Sequence, residues 1–240
     1  MKTIIVTGDS RGVGFQISRD LLKEGHKVIG ISRKESKNTS FLNESYNNRY
    51  FHLNFDMTNS NSIKELYFEK LKPHGPFDAF VNNAAMAYDD IATNLNNDNL
   101  LAMFQVNVFS PMCLVKYLIR DSLLHKNQMN LVHISSISAH TGFKGLSFYA
   151  SSKGAIEAFS KNIAREWGSR GIYSNVVCPG FMETDMSSGL SNQQKNKIFK
   201  RSSTKKPTTT NHVSKSVFFL ITQNTGEITG QVIHVDNGAI

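Results

Sequence analysis

Apolar positions along this chain fall into two periods that alternate. Short, nearly continuous runs of apolar and β-branched residues, TIIVT at Thr3–Thr7 and KVIGIS at Lys27–Ser32, read as strands. Between them, Val13, Ile17, Leu21 and Leu22 recur at helical spacing within Arg11–Lys23, and Gly25 follows where a glycine commonly ends a helix. The same alternation predicts strands at Tyr50–Phe55, Ala79–Val81, Met129–Ser135, Tyr173–Val177 and Gln231–Val235, and helices at Ser60–Leu71, Leu100–Leu118 and Ser147–Glu166. Strands that are apolar throughout, separated by helices, imply a parallel sheet covered on both faces. The expectation is one α/β domain over residues 1–240, a doubly wound parallel sheet of about seven strands. The polar stretches Lys34–Arg49 and Ala92–Asn99 read as loops or helix ends. Ser187–Thr210 is long for a loop in a compact domain, so it is either a functional lid or a poorly ordered segment.

Composition narrows the class. Hydrophobic residues make up 40% of the 240 positions and charged residues 19%, which argues against disorder. No apolar run reaches the roughly 18 residues of a membrane span, and the N-terminal apolar run is too short for a signal peptide. Two cysteines, Cys113 and Cys178, make no disulfide framework, so a reduced, cytoplasmic protein without a membrane partner is expected. The net charge of +8 suits an anionic partner. No nucleic-acid-binding signature accompanies it, and the basic residues are scattered apart from Lys195–Lys206, so nucleic acid is not the expected partner.

Candidate chemistry begins at the first strand-to-helix turn, Gly8-Asp9-Ser10-Arg11-Gly12-Val13-Gly14. Glycines there let the backbone turn tightly and approach a pyrophosphate, while the helix N-terminus offers N–H donors. A tight turn without a ligand is the plain alternative. At the end of the second strand an acidic residue would select NAD. Here the strand ends Ile31-Ser32-Arg33, followed by Lys34. Arg33, with Arg11 from the same crevice, can pair with a 2′-phosphate, which favours NADP(H). Tyr149 and Lys153 are four apart on a predicted helix and share a face, with Ser136 just past the fifth strand. Singly, each could be a packing or surface residue. His52, His133 and His234 show no metal-ligand spacing and read as structural or surface histidines, with no metal expected.

Together these motifs resemble the short-chain dehydrogenase/reductase family over nearly the whole chain. The resemblance rests on TGDSRGVG at Thr7–Gly14, Asp56, NNAA at Asn82–Ala85, Asn107 in QVNVFS, SSIS around Ser136, YASSK at Tyr149–Lys153, CPGFMETDM at Cys178–Met186 and GQVIHVDNG near the end. It implies a Rossmann-type fold and an oxidoreductase in which Tyr149 is the acid/base and Ser136 binds the substrate oxygen. Lys153, together with the positive nicotinamide ring of the oxidised cofactor, would lower the Tyr149 pKa; Lys153 would also hold the nicotinamide ribose, and Asn107 would help hold a relay water. Gly8, Ser10, Arg11, Gly12, Val13, Gly14, Ser32, Arg33, Asp56, Met57, Asn83, Ala84, Pro179, Gly180, Met182 and Thr184 join Tyr149 and Lys153 as cofactor-binding candidates. Ala85 departs from the family's common glycine. Its methyl fits if φ is negative and is strained if φ is positive.

The motif wording is most similar to 3-oxoacyl-(acyl-carrier-protein) reductases, which implies a 3-oxoacyl thioester, an acidic carrier-protein partner, fatty-acid biosynthesis and a homotetramer or homodimer. Of two arginines those enzymes use for docking, Arg170 matches one position, while Asn127 beside Lys126 occupies the other. Lys195, Lys197, Lys200, Arg201, Lys205 and Lys206 could add positive charge, and Phe143, Phe148, Phe181 and Met186 could form an apolar pocket wall. The alternatives are a nucleotide-sugar or other cell-surface precursor, a small ketone or alcohol, and a non-enzymatic NADP-binding sensor module.

Overall fold

In a computed structural model, which describes residues 1–183, 191–224 and 226–240, seven strands form one parallel sheet in the order β3-β2-β1-β4-β5-β6-β7. They are β1 Thr3–Thr7, β2 Lys27–Ser32, β3 Tyr50–Asn54, β4 Ala79–Asn82, β5 Met129–Ile134, β6 Ile172–Pro179 and β7 Val232–Val235. The order turns back at β1, whose neighbours are β2 and β4, so the crevice at the carboxyl ends of these strands is where a doubly wound sheet binds its ligand. Each expected strand is present, the first two with the expected bounds and the other five with ends shifted by one or two residues.

The continuous apolar runs have a simple cause. Along β1, Ile4 and Val6 enter one core with α1 (Gly12–Lys23) and α8 (Thr210–Thr222), while Ile5 enters the other. That second core also holds Ile63, Leu66, Leu71, Leu114, Leu118 and Ile163. Both faces of the strand are buried, so neither side can be polar.

Three helical regions differ from the sequence expectation. Lys37–Ser45 forms a helix, α2, whose N-terminus is capped reciprocally by Ser36 and Thr39. α8 packs on α1 and was not signalled by the sequence reading, and the stretch expected to be a lid or poorly ordered contains α7, Asn192–Phe199. The two long helices are interrupted. α3 (Ile63–Glu65) continues as a π-helical segment, Leu66–Leu71, and α4 (Asn97–Phe104) joins α5 (Ser110–His125) through another, Gln105–Phe109. The combined stretch Asn97–His125 is long and apolar enough to cross a membrane by length and composition alone, although polar residues interrupt it and no continuous apolar run reaches that length. In this fold Val106, Leu114, Val115, Leu118 and Ile119 bury its apolar side against the sheet.

Candidate active site

The glycine turn is built by close approach. Gly8 (φ +72°) and Gly12 (φ +58°) adopt the left-handed conformation that favours glycine. A Cβ on Gly14 would lie 2.2 Å from the Gly8 carbonyl oxygen and 2.5 Å from Asn83 Nδ2. The turn is also tied to β4. Thr7 Oγ1 accepts hydrogen bonds from the N–H groups of Asn83 (3.0 Å) and Ala84 (3.1 Å), and Asn83 Nδ2 donates to the carbonyls of Thr7 (2.9 Å) and Gly8 (3.2 Å). Asn83 therefore shapes the turn with its amide. Ala85 is absent from the non-glycine residues of positive φ, so its methyl is accommodated. Gly14→Ala is expected to destabilise the fold by about 1–3 kcal/mol, because backbone must move to admit the methyl. Urea unfolding measures this, and an unchanged midpoint would contradict the packing described.

Beneath the turn lies a group that the sequence motifs did not reveal. Asp9 is fully buried, accepts from the Tyr50 hydroxyl at 2.5 Å and meets His52 Nδ1 at 3.1 Å. Burial alone would lower the His52 pKa, but the hydrogen bond and charge of Asp9 reverse this and the net shift is upward. Burial and the same carboxylate push the Tyr50 hydroxyl far up. Gly30 makes room, since a Cβ there would fall 1.7 Å from Asp9 Oδ2.

The turn's outer side could hold a dinucleotide. A Cβ on Gly12 would meet nothing within 4 Å, no side chain caps α1, and its first turn carries no acidic residue. Arg11 and Arg33 are exposed there, while Ser10 lends its carbonyl to Ser36 and Asn38. Ser32 Oγ donates to the Lys34 carbonyl at 3.3 Å. Asp56 is exposed and accepts from Thr58, whereas the Met57 side chain belongs to the core. At the end of β6, Pro179 and Gly180 are buried, with Thr208 and Asp236 packed where a Gly180 side chain would go. Met182 bridges to Thr208, and Thr184 and Met186 lie outside the described residues.

The catalytic candidates converge. α6 (Ser147–Trp167) carries Tyr149 and Lys153 on one face, and the Lys153 ammonium sits 5.6 Å from the centre of the Tyr149 ring. Ser136 follows β5 in extended conformation and hydrogen-bonds the Tyr149 hydroxyl. Lys153 is buried and donates to the Ile134 carbonyl at 2.8 Å; burial lowers its pKa to about 8. In this arrangement of protein groups the Tyr149 pKa lies above its ordinary value. Burial, helped by the Asp89 charge, raises it to about 12 against the opposing Ser136 hydrogen bond. The ammonium lies over the ring and spends a hydrogen on Ile134, so burial dominates at the hydroxyl. The phenol thus holds its proton at neutral pH, as a proton donor must.

Asn107 sits in the π-helical segment joining α4 and α5. Its Oδ1 accepts from Met86 N–H (2.8 Å), and its Nδ2 donates to the Met86 carbonyl and to Ser152 Oγ, both at 2.9 Å. Both amide hydrogens are used inside the protein, so Asn107 clamps the chain after β4 to α6 beside Lys153. His133 is fully buried and neutral, its pKa pushed down to about 3 by burial and then by the Lys153 charge.

Of the expected apolar wall, Phe143 and Phe181 line a small cleft with Ile198 and Phe199, and Phe148 instead stacks on Tyr88 with ring centres 5.3 Å apart. Arg201 lies over Phe143, and Arg170 is exposed. Asn127 donates its amide to the Phe77 and Gln128 carbonyls and, as a neutral side chain, offers no charge for docking.

A family model described as enoyl-(acyl carrier protein) reductase matches residues 8–239. Among curated relatives, the 3-oxoacyl-[acyl-carrier-protein] reductase FabG of Haemophilus influenzae is 31% identical over 237 residues, covering 99% of this chain and 97% of the relative. That of Salmonella typhimurium is 33% identical over 240 residues, covering 99% and 96%. Among solved structures, ElxO with NADP bound is similar with a TM-score of 0.89 at 27% identity, covering 100% of this chain and 99% of ElxO. A tyrosine-to-phenylalanine variant of ElxO with NADPH bound has the same TM-score and coverage at 26% identity.

Proposed function

Since the chain belongs to the short-chain dehydrogenase/reductase family, we propose that it is an NADPH-dependent carbonyl reductase acting on a 3-oxoacyl thioester to give the 3-hydroxyacyl thioester. The observation that carries this reading is the convergence of Ser136, Tyr149 and the buried Lys153 at the carboxyl end of the sheet, with a protonated phenol beside the serine. That arrangement suits an oxygen gaining negative charge. The names of the full-length relatives support the thioester, and the net charge of +8 suits an acidic carrier protein in the cytoplasm, a setting consistent with two cysteines that form no disulfide. A homo-oligomer is part of the proposal through family membership.

NADPH would supply the hydride. Gly8, Gly12, Val13 and Gly14 would receive its pyrophosphate at the α1 N-terminus, braced by Asn83 and Ala84. Arg11 and Arg33, with Ser10 and Ser32, would meet the 2′-phosphate, and Asp56 and Met57 the adenine. Pro179, Gly180, Met182 and Thr184 would border the nicotinamide end. Ser136 Oγ hydrogen-bonds the substrate oxygen, Tyr149 donates its hydroxyl proton to it, and Lys153 holds positive charge beneath the phenol as it becomes phenolate. Asn107 is a positioning residue, fixing Met86 and Ser152 around that centre. Phe143 and Phe181 would lie against the acyl chain; of the lid expected over about 185–210, residues 185–190 lie outside the described residues.

NADPH oxidation is to be followed with acetoacetyl thioester, with NADH and an enoyl thioester in parallel. Turnover of the 3-oxo compound with NADPH is expected. Turnover of the enoyl compound alone, or of neither alongside confirmed NADPH binding, would overturn the substrate assignment. Arg33→Ala should raise KM for NADPH by about 10- to 100-fold, the size of a lost charge-assisted hydrogen bond, with little change for NADH. Equal loss with both cofactors would remove the 2′-phosphate role.

A further inference from the structure

The sequence spacing gave no metal site, but the fold brings together three side chains distant in the chain. Cys178 on β6 and His234 on β7 are register partners across the last strand pair. His140, in the loop after Ser136, reaches the same place. One ligating atom from each of His140, Cys178 and His234 lies within 4.8 Å of the others, and the two imidazole rings are 4.7 Å apart. We propose that these three residues form a binding site for a thiophilic divalent metal ion of the zinc class, stapling the loop after Ser136 to the sheet edge.

Two imidazoles and a thiolate form a donor set typical of zinc, with solvent free to take the fourth position. Cys178 is buried and the two histidines are exposed, so an ion can enter from solvent and meet the sulfur at the bottom. A carboxylate also stands behind one ligand. His140 Nε2 contacts Glu157 Oε2 at 2.9 Å and Oε1 at 3.1 Å, leaving Nδ1 for a metal. Ser135 Oγ hydrogen-bonds the same carboxylate. Such carboxylate–histidine pairs orient metal-binding imidazoles and raise their basicity. On binding, the metal–sulfur bond forms as the thiol proton leaves to solvent, so no redox partner is needed. The site takes no part in the proposed hydride chemistry, and its test does not depend on turnover.

Chelator-treated protein titrated with Co²⁺ should show a thiolate-to-cobalt charge-transfer band in the near ultraviolet and intense tetrahedral bands in the visible, saturating at one equivalent. Zn²⁺ should bleach both. Cys178→Ser should remove the charge-transfer band. Glu157→Gln should weaken Co²⁺ binding by about 10- to 100-fold, and the exposed His234→Gln by at least as much. Absence of the charge-transfer band, or its survival undiminished in His234→Gln with unchanged circular dichroism, would overturn the proposal.

Discussion

Replacing Tyr149 with phenylalanine is expected to lower kcat for the 3-oxoacyl thioester by about 10²- to 10⁴-fold, the range supplied by a positioned general acid. The half-buried phenol is raised to about 12 and lies beside Ser136, so at neutral pH it holds a proton that it can give to a substrate oxygen. Loss of the hydroxyl removes that proton and leaves the ring packed beside Lys153. NADPH affinity, measured by fluorescence titration, should change little, because the glycine turn and Arg33 lie on other elements. Single-turnover rates separate the two effects. Parent-like turnover in the variant would show that the proton comes from elsewhere, and loss of NADPH affinity alone would make Tyr149 a binding residue.

Acid should weaken the fold through His133. This histidine lies in β5, fully buried between Phe80 and Phe159 and within 3.3 Å of Asn82. Its folded pKa is about 3, against 6.5 for the ordinary side chain. Below pH 6.5 the unfolded chain gains a proton that the folded chain refuses, so stability falls as pH falls. The loss attributable to this group grows by about 1.4 kcal/mol per pH unit through the window from 6.5 down towards 3. Urea unfolding of the parent and of His133→Leu across that range tests this. The difference between their slopes should correspond to one proton, whatever the variant's stability at neutral pH. Parallel curves would mean that His133 is accessible enough to protonate in place.

The strands were legible because both of their faces are buried, which turns a period-two pattern into plain apolar runs such as Ile4-Ile5-Val6. The α8 helix was equally available. Val213, Val217, Leu220 and Ile221 follow helical spacing and are all fully buried, but a threonine-rich lead-in masked them. α2 offered little signal, with only Thr39 and Leu42 buried, and its start depends on a reciprocal cap. The π-helical segments were invisible because one extra residue per turn shifts the apolar face without breaking it. In the site, Ser136, Tyr149 and Lys153 were recognisable only together with the other motifs that carry the family resemblance, since a shared helix face and a serine just past a strand leave each open to a packing role. The position of the Lys153 ammonium, over the Tyr149 ring and bonded to the Ile134 carbonyl, is not legible in the spacing, which says nothing about where an ammonium points. Asp9 with Tyr50 and His52, and Cys178 with His234, are made by strand register, which residues far apart in the chain do not announce.

The brace under the glycine turn sets a limit on transplanting it. Residues 8–14 look like a portable cassette, yet their shape is held from outside the cassette. Asp9 leans on Tyr50 and His52 of β3 through a gap that only Gly30 of β2 leaves open, and Asn83 at the end of β4 ties down the Gly8 carbonyl. Spliced alone into another α/β scaffold, the heptapeptide would carry a carboxylate with no room beneath it and no donors to meet it. The smallest portable unit is therefore the first three strands together with the Asn83 corner, and a chimaera that respects this boundary would keep the turn, whereas one cut at Gly8 and Gly14 would lose it.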